Sequence, residues 1–166
     1  NLWDFLENYE SKLDGHVLAI PHNPNVSGGL MFRPNDSEGK PITLEYAKTR
    51  SRWEPLLEVT QVKGDSESHE YLSPNDEFAD YGDWDWGVMT GERTHPNSWF
   101  KYEYARSALK LGLEVDAAVG ENPFKFGLIG SSDSHTGLST VEENNWWGKL
   151  SILEPRPERG ADFWLG

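Results

Sequence analysis

Asp133-Ser134-His135 is the pair of side chains in this sequence best suited to hold a divalent ion. It closes the stretch Gly127-Leu128-Ile129-Gly130-Ser131-Ser132-Asp133-Ser134-His135-Thr136-Gly137. There a short apolar run gives way to small residues, the pattern of a buried strand delivering side chains at its C-terminal end. Carboxylate oxygen combined with imidazole nitrogen favours zinc, manganese or iron over calcium. Taken alone the motif is short, and an Asp capping a turn beside a solvated His accounts for it equally well.

Three further positions carry the same kind of ambiguity. His22 follows the apolar run His16-Val17-Leu18-Ala19-Ile20-Pro21, which reads as a strand covered on both faces. It is either a ligand at the strand's end or a turn residue bonded to its loop. Glu58 lies inside an apolar strand expected over residues 56–62, where an unpaired carboxylate is costly. It must meet a cation, a donor or solvent, so a structural ion pair and metal ligation both fit. Arg50 and Arg52 end a helix, where positive charge complements the dipole; the same guanidinium groups can also grip a substrate phosphate bidentately.

The elements that position these residues follow from periodicity. Leu2, Phe5, Leu6, Tyr9 and Leu13 predict an amphipathic helix over residues 1–13 with Gly15 as its stop. Residues 23–41 form a Gly-, Asn- and Pro-rich loop anchored by Met31 and Phe32. Thr43 caps a helix running to Trp53. Residues 63–97 are acidic, Trp-rich and without regular pattern, a long loop of the kind that serves as a lid or rim. That loop holds His69, His95 and the run Asp80-Tyr81-Gly82-Asp83-Trp84-Asp85-Trp86, which reads as a sugar-binding face or as aromatic packing across a site's rim. Asn97 or Ser98 caps a long helix whose apolar stripe is Trp99, Tyr102, Ala105, Leu109, Leu113 and Ala117 or Ala118. Lys101, Glu103 and Lys110 face water, and Gly120 ends the helix. A last strand spans residues 124–129. Every candidate ligand thus follows a strand, at the edge where barrels and open parallel sheets assemble their sites. Three strands cannot close a barrel, so part of the fold is expected to lie outside this chain.

Composition narrows the function. The 166 residues, 36% hydrophobic with eight Trp, suffice for one domain with a sizeable core. A net charge of −13 argues against nucleic acid and anionic membrane surfaces as partners. The absence of cysteine excludes disulfides, a thiol nucleophile and thiolate metal sites. No apolar run approaches the ~20 residues of a membrane span. The sequence opens at Asn1 without a signal peptide, as a processed or trimmed piece does. A soluble protein is expected, periplasmic, secreted or cytoplasmic. No repeat and no phosphate-cradling Gly-rich loop is present.

Longer motifs carry a resemblance. Ile20-Pro21-His22-Asn23-Pro24-Asn25, Arg52-Trp53-Glu54-Pro55-Leu56-Leu57-Glu58-Val59, Lys63-Gly64-Asp65-Ser66-Glu67-Ser68-His69, Arg106-Ser107-Ala108-Leu109 and the segment from Asn122 to Gly137 resemble the DUF3604 family. That family is itself similar to the PHP (polymerase and histidinol phosphatase) superfamily of metal-dependent phosphoesterases. The resemblance implies an α/β chain forming the C-terminal portion of a distorted TIM-like (β/α)7 barrel over residues 1–150, with an irregular tail over 151–166. The family's early His-x-His motif is absent, so the N-terminal half of the barrel becomes an expected partner.

The implied activity is hydrolysis of a small phosphorylated substrate by water activated on two or three divalent ions, zinc, manganese or iron. His22, Asp133 and His135 match the family's metal positions, with Glu58 as a further metal candidate. Asp133, His69 and Arg52 are the catalytic candidates. Two alternatives stay open: a metallohydrolase of another ester or amide, and a noncatalytic, acidic, Trp-rich module that binds carbohydrate or plays a structural part.

Overall fold

The computed structural model describes residues 1–61, 64–84, 87–89, 91, 95–135, 142 and 144. Val62, Lys63, Asp85, Trp86, Thr136, Gly137 and the expected tail over 151–166 lie outside the described residues. The chain divides into two compact units, Asn1–Gly130 and Ser131–Gly166. The first is a mixed α/β unit built on a small sheet.

Helix α1, Leu2–Glu10, begins with a capping box. The Asn1 side chain accepts the Asp4 N–H at 3.0 Å, and the Asp4 carboxylate reaches back to the terminal ammonium at 2.9 Å. The helix ends well before Gly15. Of the predicted stripe only Leu6 is buried, while Leu2, Phe5, Tyr9 and Leu13 are exposed. Helix α2, Leu44–Trp53, starts where its cap predicts, the Thr43 hydroxyl accepting the Tyr46 N–H at 3.2 Å. It stops just ahead of Pro55, because the residue before a proline is pushed out of the α region. The two helices pack together, with Trp3 edge-on to Tyr46 at 5.0 Å and its indole N–H donating to Glu54 at 2.9 Å.

Strand β1, Leu56–Gln61, is the centre of the sheet. It pairs antiparallel with β2, Gly64–Asp65, and parallel with β3, Gly127–Gly130, in the order β2-β1-β3. Residues 16–21 do not form the expected strand. Their hydrogen bonds to the chain around β1 are Ala19 N–H to Trp53 C=O at 2.8 Å and Glu58 N–H to Pro21 C=O at 3.0 Å. Pro21 has no N–H to extend that pairing into a ladder. The last strand also begins later than predicted, since the Phe124 N–H is taken by the Asn122 side chain at 2.9 Å and the Phe124 ring turns into the core.

The long helix expected from Asn97 is two helices, α3 (Asn97–Phe100) and α4 (Ala105–Val119). Tyr104 between them is extended, and the first N–H groups of α4, on Ala105 and Arg106, donate to the Ser66 and Glu67 carbonyls at 2.8 and 3.0 Å. The loop after β2 therefore caps α4, as helix termini require. Gly120 ends α4 in the left-handed conformation, as the sequence predicts. Ala105 is buried as the stripe predicts, but from there on the buried face is one step out of phase with it. Ala105, Ala108, Gly112 and Val115 point inward, while Leu109 is 39% and Leu113 65% exposed. Small residues win this face because the chain passes close to it: a Cβ on Gly112 would lie 2.2 Å from the Asn122 side-chain oxygen. The core joins Ala47 of α2, Leu57 of β1 and the inner face of α4 to Phe32, Ile42 and Phe124 from the loops.

Candidate functional site

Around β1 and the loop that follows it lie three of the polar residues that the sequence singles out, His22, Glu58 and His69. The 22–26 segment is tied there by two side chains. Gln61 donates from its amide to the Asn23 side-chain oxygen at 3.0 Å, and the buried Asn25 accepts the Ser66 hydroxyl at 2.9 Å while donating to the Trp84 carbonyl at 3.3 Å. Asn23 adopts the left-handed conformation, φ 60°, immediately after His22. His22 is exposed and borders a groove of about 600 Å³ lined mainly by apolar residues. Glu58 is buried in the middle of β1.

The loop from Gly64 to Trp84 is held in place backbone to backbone. Asp65 N–H donates to Gly82 C=O at 2.8 Å, and a Cβ on Gly64 would fall 2.5 Å from that same oxygen. With φ at 109°, Gly64 is a position that only glycine fills without strain. Arg106 of α4 pins the same loop through Glu67 at 2.8 Å and through Asp76. The guanidinium, followed by the Phe78 N–H, holds the Asp76 carboxyl below its ordinary value.

His69 is buried here against Phe100, ring centroids 4.0 Å apart. Its Nδ1 accepts the Tyr71 N–H at 3.0 Å, which leaves the proton of a neutral ring on Nε2, 3.7 Å from an Asp83 carboxylate oxygen. A cavity of about 360 Å³ bounded by His69, Glu70, Tyr71, Pro74, Asn97 and Phe100 opens beside the ring. His69 is thus oriented and reachable, as a proton-transfer residue must be.

On another side of Phe100 lies a pair the sequence reading missed. Glu103, expected to face water, is fully buried. One carboxylate oxygen accepts the Gly29 N–H at 2.8 Å, and the other lies 2.8 Å from Nε2 of His95. Burial pushes the Glu103 carboxyl above its ordinary value, against the opposing pull of the Gly29 N–H and His95. The requirement to turn Glu103 inward coincides with the break between α3 and α4. The only clue in the sequence is a carboxylate one turn from aromatic Trp99 and Phe100.

A carboxyl raised by folding favours the native state most when both states hold it protonated, and that contribution is lost as pH rises through its folded value. Glu103→Gln keeps an oxygen to accept the Gly29 N–H but removes the titration. The variant is expected to gain on the wild type as the pH of urea denaturation is raised from about 4 to about 8. A difference in midpoint that stays constant across that range rejects this account of Glu103.

The remaining candidates are placed as follows. Arg52 is bonded to Glu10 of α1 at 3.3 Å, lies 3.6 Å from Glu7 and sits over the Trp53 ring at 4.3 Å. Arg50 is buried, donating to Glu54 at 2.9 Å and to the Met31 carbonyl at 2.8 Å, with its guanidinium over Phe124. Both arginines join helices and loops within the first unit. In the second unit Asp133 and His135 meet, Oδ1 to Nε2, at 2.9 Å, and Asp133 has φ 49°. Among the described residues no group of three or more His, Asp or Glu is gathered closely enough to hold a metal ion.

Residues 1–162 match the family model described as DUF3604, a protein of unknown function. The chain belongs to the DUF3604 family. No curated protein and no solved structure matches this DUF3604 chain. Among its described residues no helix is long and apolar enough to cross a membrane.

Proposed function

We propose that this chain belongs to a metal-dependent hydrolase, acting on phosphoesters, with Asp133 and His135 as metal donors and His22 and Glu58 as the candidate donors of the first unit. The observation that carries the reading is where the left-handed backbone positions fall. Among the described residues, the non-glycine positions with positive φ are Asn23, which follows His22, and Asp133. Asn and Asp adopt this conformation more readily than other side-chain-bearing residues, and it re-aims the chain sharply at each position. Here both fall on the two motifs that resemble ligand positions.

The donor chemistry is consistent with this. Asp133 and His135 already present an oxygen and a nitrogen to each other at 2.9 Å, a spacing at which one ion can take the place of the shared proton. A pair alone falls short of the three or four protein donors of a closed site, so the reading places further donors outside this pair. A bound ion would supply hydroxide near neutral pH and neutralise phosphoryl oxygens. His69, with a cavity beside it, is the candidate for a contact to the substrate phosphate or the leaving group. The choice of phosphoesters over other esters or amides rests on the likeness to PHP enzymes. The expected N-terminal half of the barrel belongs to the same proposal.

The test strips the protein with EDTA, restores manganese, iron or zinc singly, and measures both bound metal and hydrolysis of an aryl phosphate, an aryl phosphodiester and an aryl acetate. Metal that binds tightly and restores phosphoester hydrolysis is the expected result. Restored cleavage of the acetate alone moves the enzyme to another ester class, and failure to retain any of the metals overturns the reading.

A further inference from the structure

The proposed hydrolysis makes no use of the alternating acidic and aromatic run that begins at Asp80. Two of its rings, Tyr81 and Trp84, open onto a cleft of about 720 Å³ at the C-terminal end of β1, whose walls also carry Thr60, Asp65, Glu67 and Asp83. The volume is that of a small-molecule site. Tyr81 is 78% exposed and Trp84 40%, although both could have been buried in a chain this rich in aromatic packing. The geometry points to a binding site for a neutral pyranoside in this cleft, the sugar's C–H face lying on Tyr81 and Trp84 and its hydroxyls donating to the surrounding carboxylates.

Charge selects among the ligands that suit aromatic walls. The carboxylates of Asp65 and Asp83 disfavour a phosphate or a carboxylate entering between them. Glu67, paired with Arg106 at 2.8 Å, offers a cation little surplus charge. An uncharged polyol meets neither objection. It uses carboxylate and hydroxyl oxygens as acceptors, and it offers an apolar face for rings whose bodies are hydrophobic.

Hydrogen bonds also tie the described chain on the two sides of the cleft. Asp65 N–H to Gly82 C=O at 2.8 Å, Ser66 N–H to Val59 C=O at 2.6 Å and Asn25 to the Trp84 carbonyl at 3.3 Å fix the backbone on both sides. Little ordering of the loop is then charged against the few contacts that one sugar makes.

The test is titration of the EDTA-treated 166-residue chain with methyl β-glucopyranoside, methyl β-galactopyranoside and tetramethylammonium, read by Trp fluorescence and saturation-transfer NMR. Because it requires no turnover and no metal, its outcome is separate from that of the hydrolase assay. A pyranoside is expected to bind with Kd on the order of 1 mM, and Tyr81→Ala and Trp84→Ala each to weaken it about tenfold. Trp84 packs near Gly64 and its loss can disturb the loop, whereas Tyr81 is exposed, so Tyr81→Ala decides if the other variant misfolds. No pyranoside binding at concentrations on the order of 10 mM overturns the inference. Pyranoside binding unchanged in Tyr81→Ala does so too, as does tetramethylammonium bound in place of both sugars.

Discussion

Asp133→Asn is expected to lower metal-dependent hydrolysis at least about 100-fold, beyond the 10- to 100-fold typical of losing a group that merely supports a metal ligand. The substitution is chosen for what it preserves. Asn tolerates the left-handed conformation as Asp does, so the φ of 49° at this position remains accessible. Its amide can still hydrogen-bond to His135. What disappears is the negative charge that an oxygen ligand brings to a divalent ion. Folding should be nearly unaffected, because His135 is 54% exposed and an exposed pair of this kind contributes about 0–1 kcal/mol. The checks are bound metal per chain, the rate with each restored ion, and the urea midpoint. Retained metal and retained activity remove Asp133 from the reaction. Asp133→Ala is a poorer test, since Ala pays for positive φ with strain and loses stability and charge together.

The parts of this fold that were legible in the sequence are those set by neighbours along the chain. Thr43 ahead of Leu44, Gly120 after Val119 and the β-branched and leucine content of β1 each act within a few residues, and each is where expected. What misled depends on distant partners. The split between α3 and α4 reflects Glu103 bonding to Gly29, 74 residues away, and a helix start capped by Ser66 and Glu67. The phase of α4 followed the same rule: leucines suggest a core face by their size, but the face against Asn122 needed Gly112 because it had no room.

The candidate site divides in the same way. His22, Glu58 and His69 were visible as polar residues at strand ends or inside motifs, and the structure sets all three in the first unit, around β1 and the loop that follows it. The features that hold their surroundings were not visible. Asn25 binding Ser66 and Trp84, the Gly64–Gly82 approach and the Gly29–Glu103 bond join segments far apart in sequence, and their residue types are common in loops. Arg52 shows the reverse case. A guanidinium at a helix end looked free for substrate, yet α1 supplies Glu7 and Glu10 to it.

The largest loss of stability is expected from Phe124→Ala. Phe124 is fully buried, meets Phe32 edge-on at 5.5 Å and lies under the Arg50 guanidinium at 4.8 Å. It also stands beside β3, its N–H held by Asn122, the residue that packs onto Gly112. Truncation leaves a cavity between α2, α4 and the sheet, and costs about 3–5 kcal/mol. Against the roughly 5–15 kcal/mol that stabilises a domain, that is about a fifth or more of the total. Urea unfolding followed by Trp fluorescence should therefore show a much lower midpoint at unchanged slope. Phe124→Leu separates the contributions, since it restores most of the volume but neither the edge-on ring contact nor the cation–π contact, and should cost about 1–2 kcal/mol. Equal midpoints for the two variants would mean that the ring's electronics and not its volume hold this corner. A loss below about 1 kcal/mol for Phe124→Ala would mean that Phe124 is not the core residue its burial makes it.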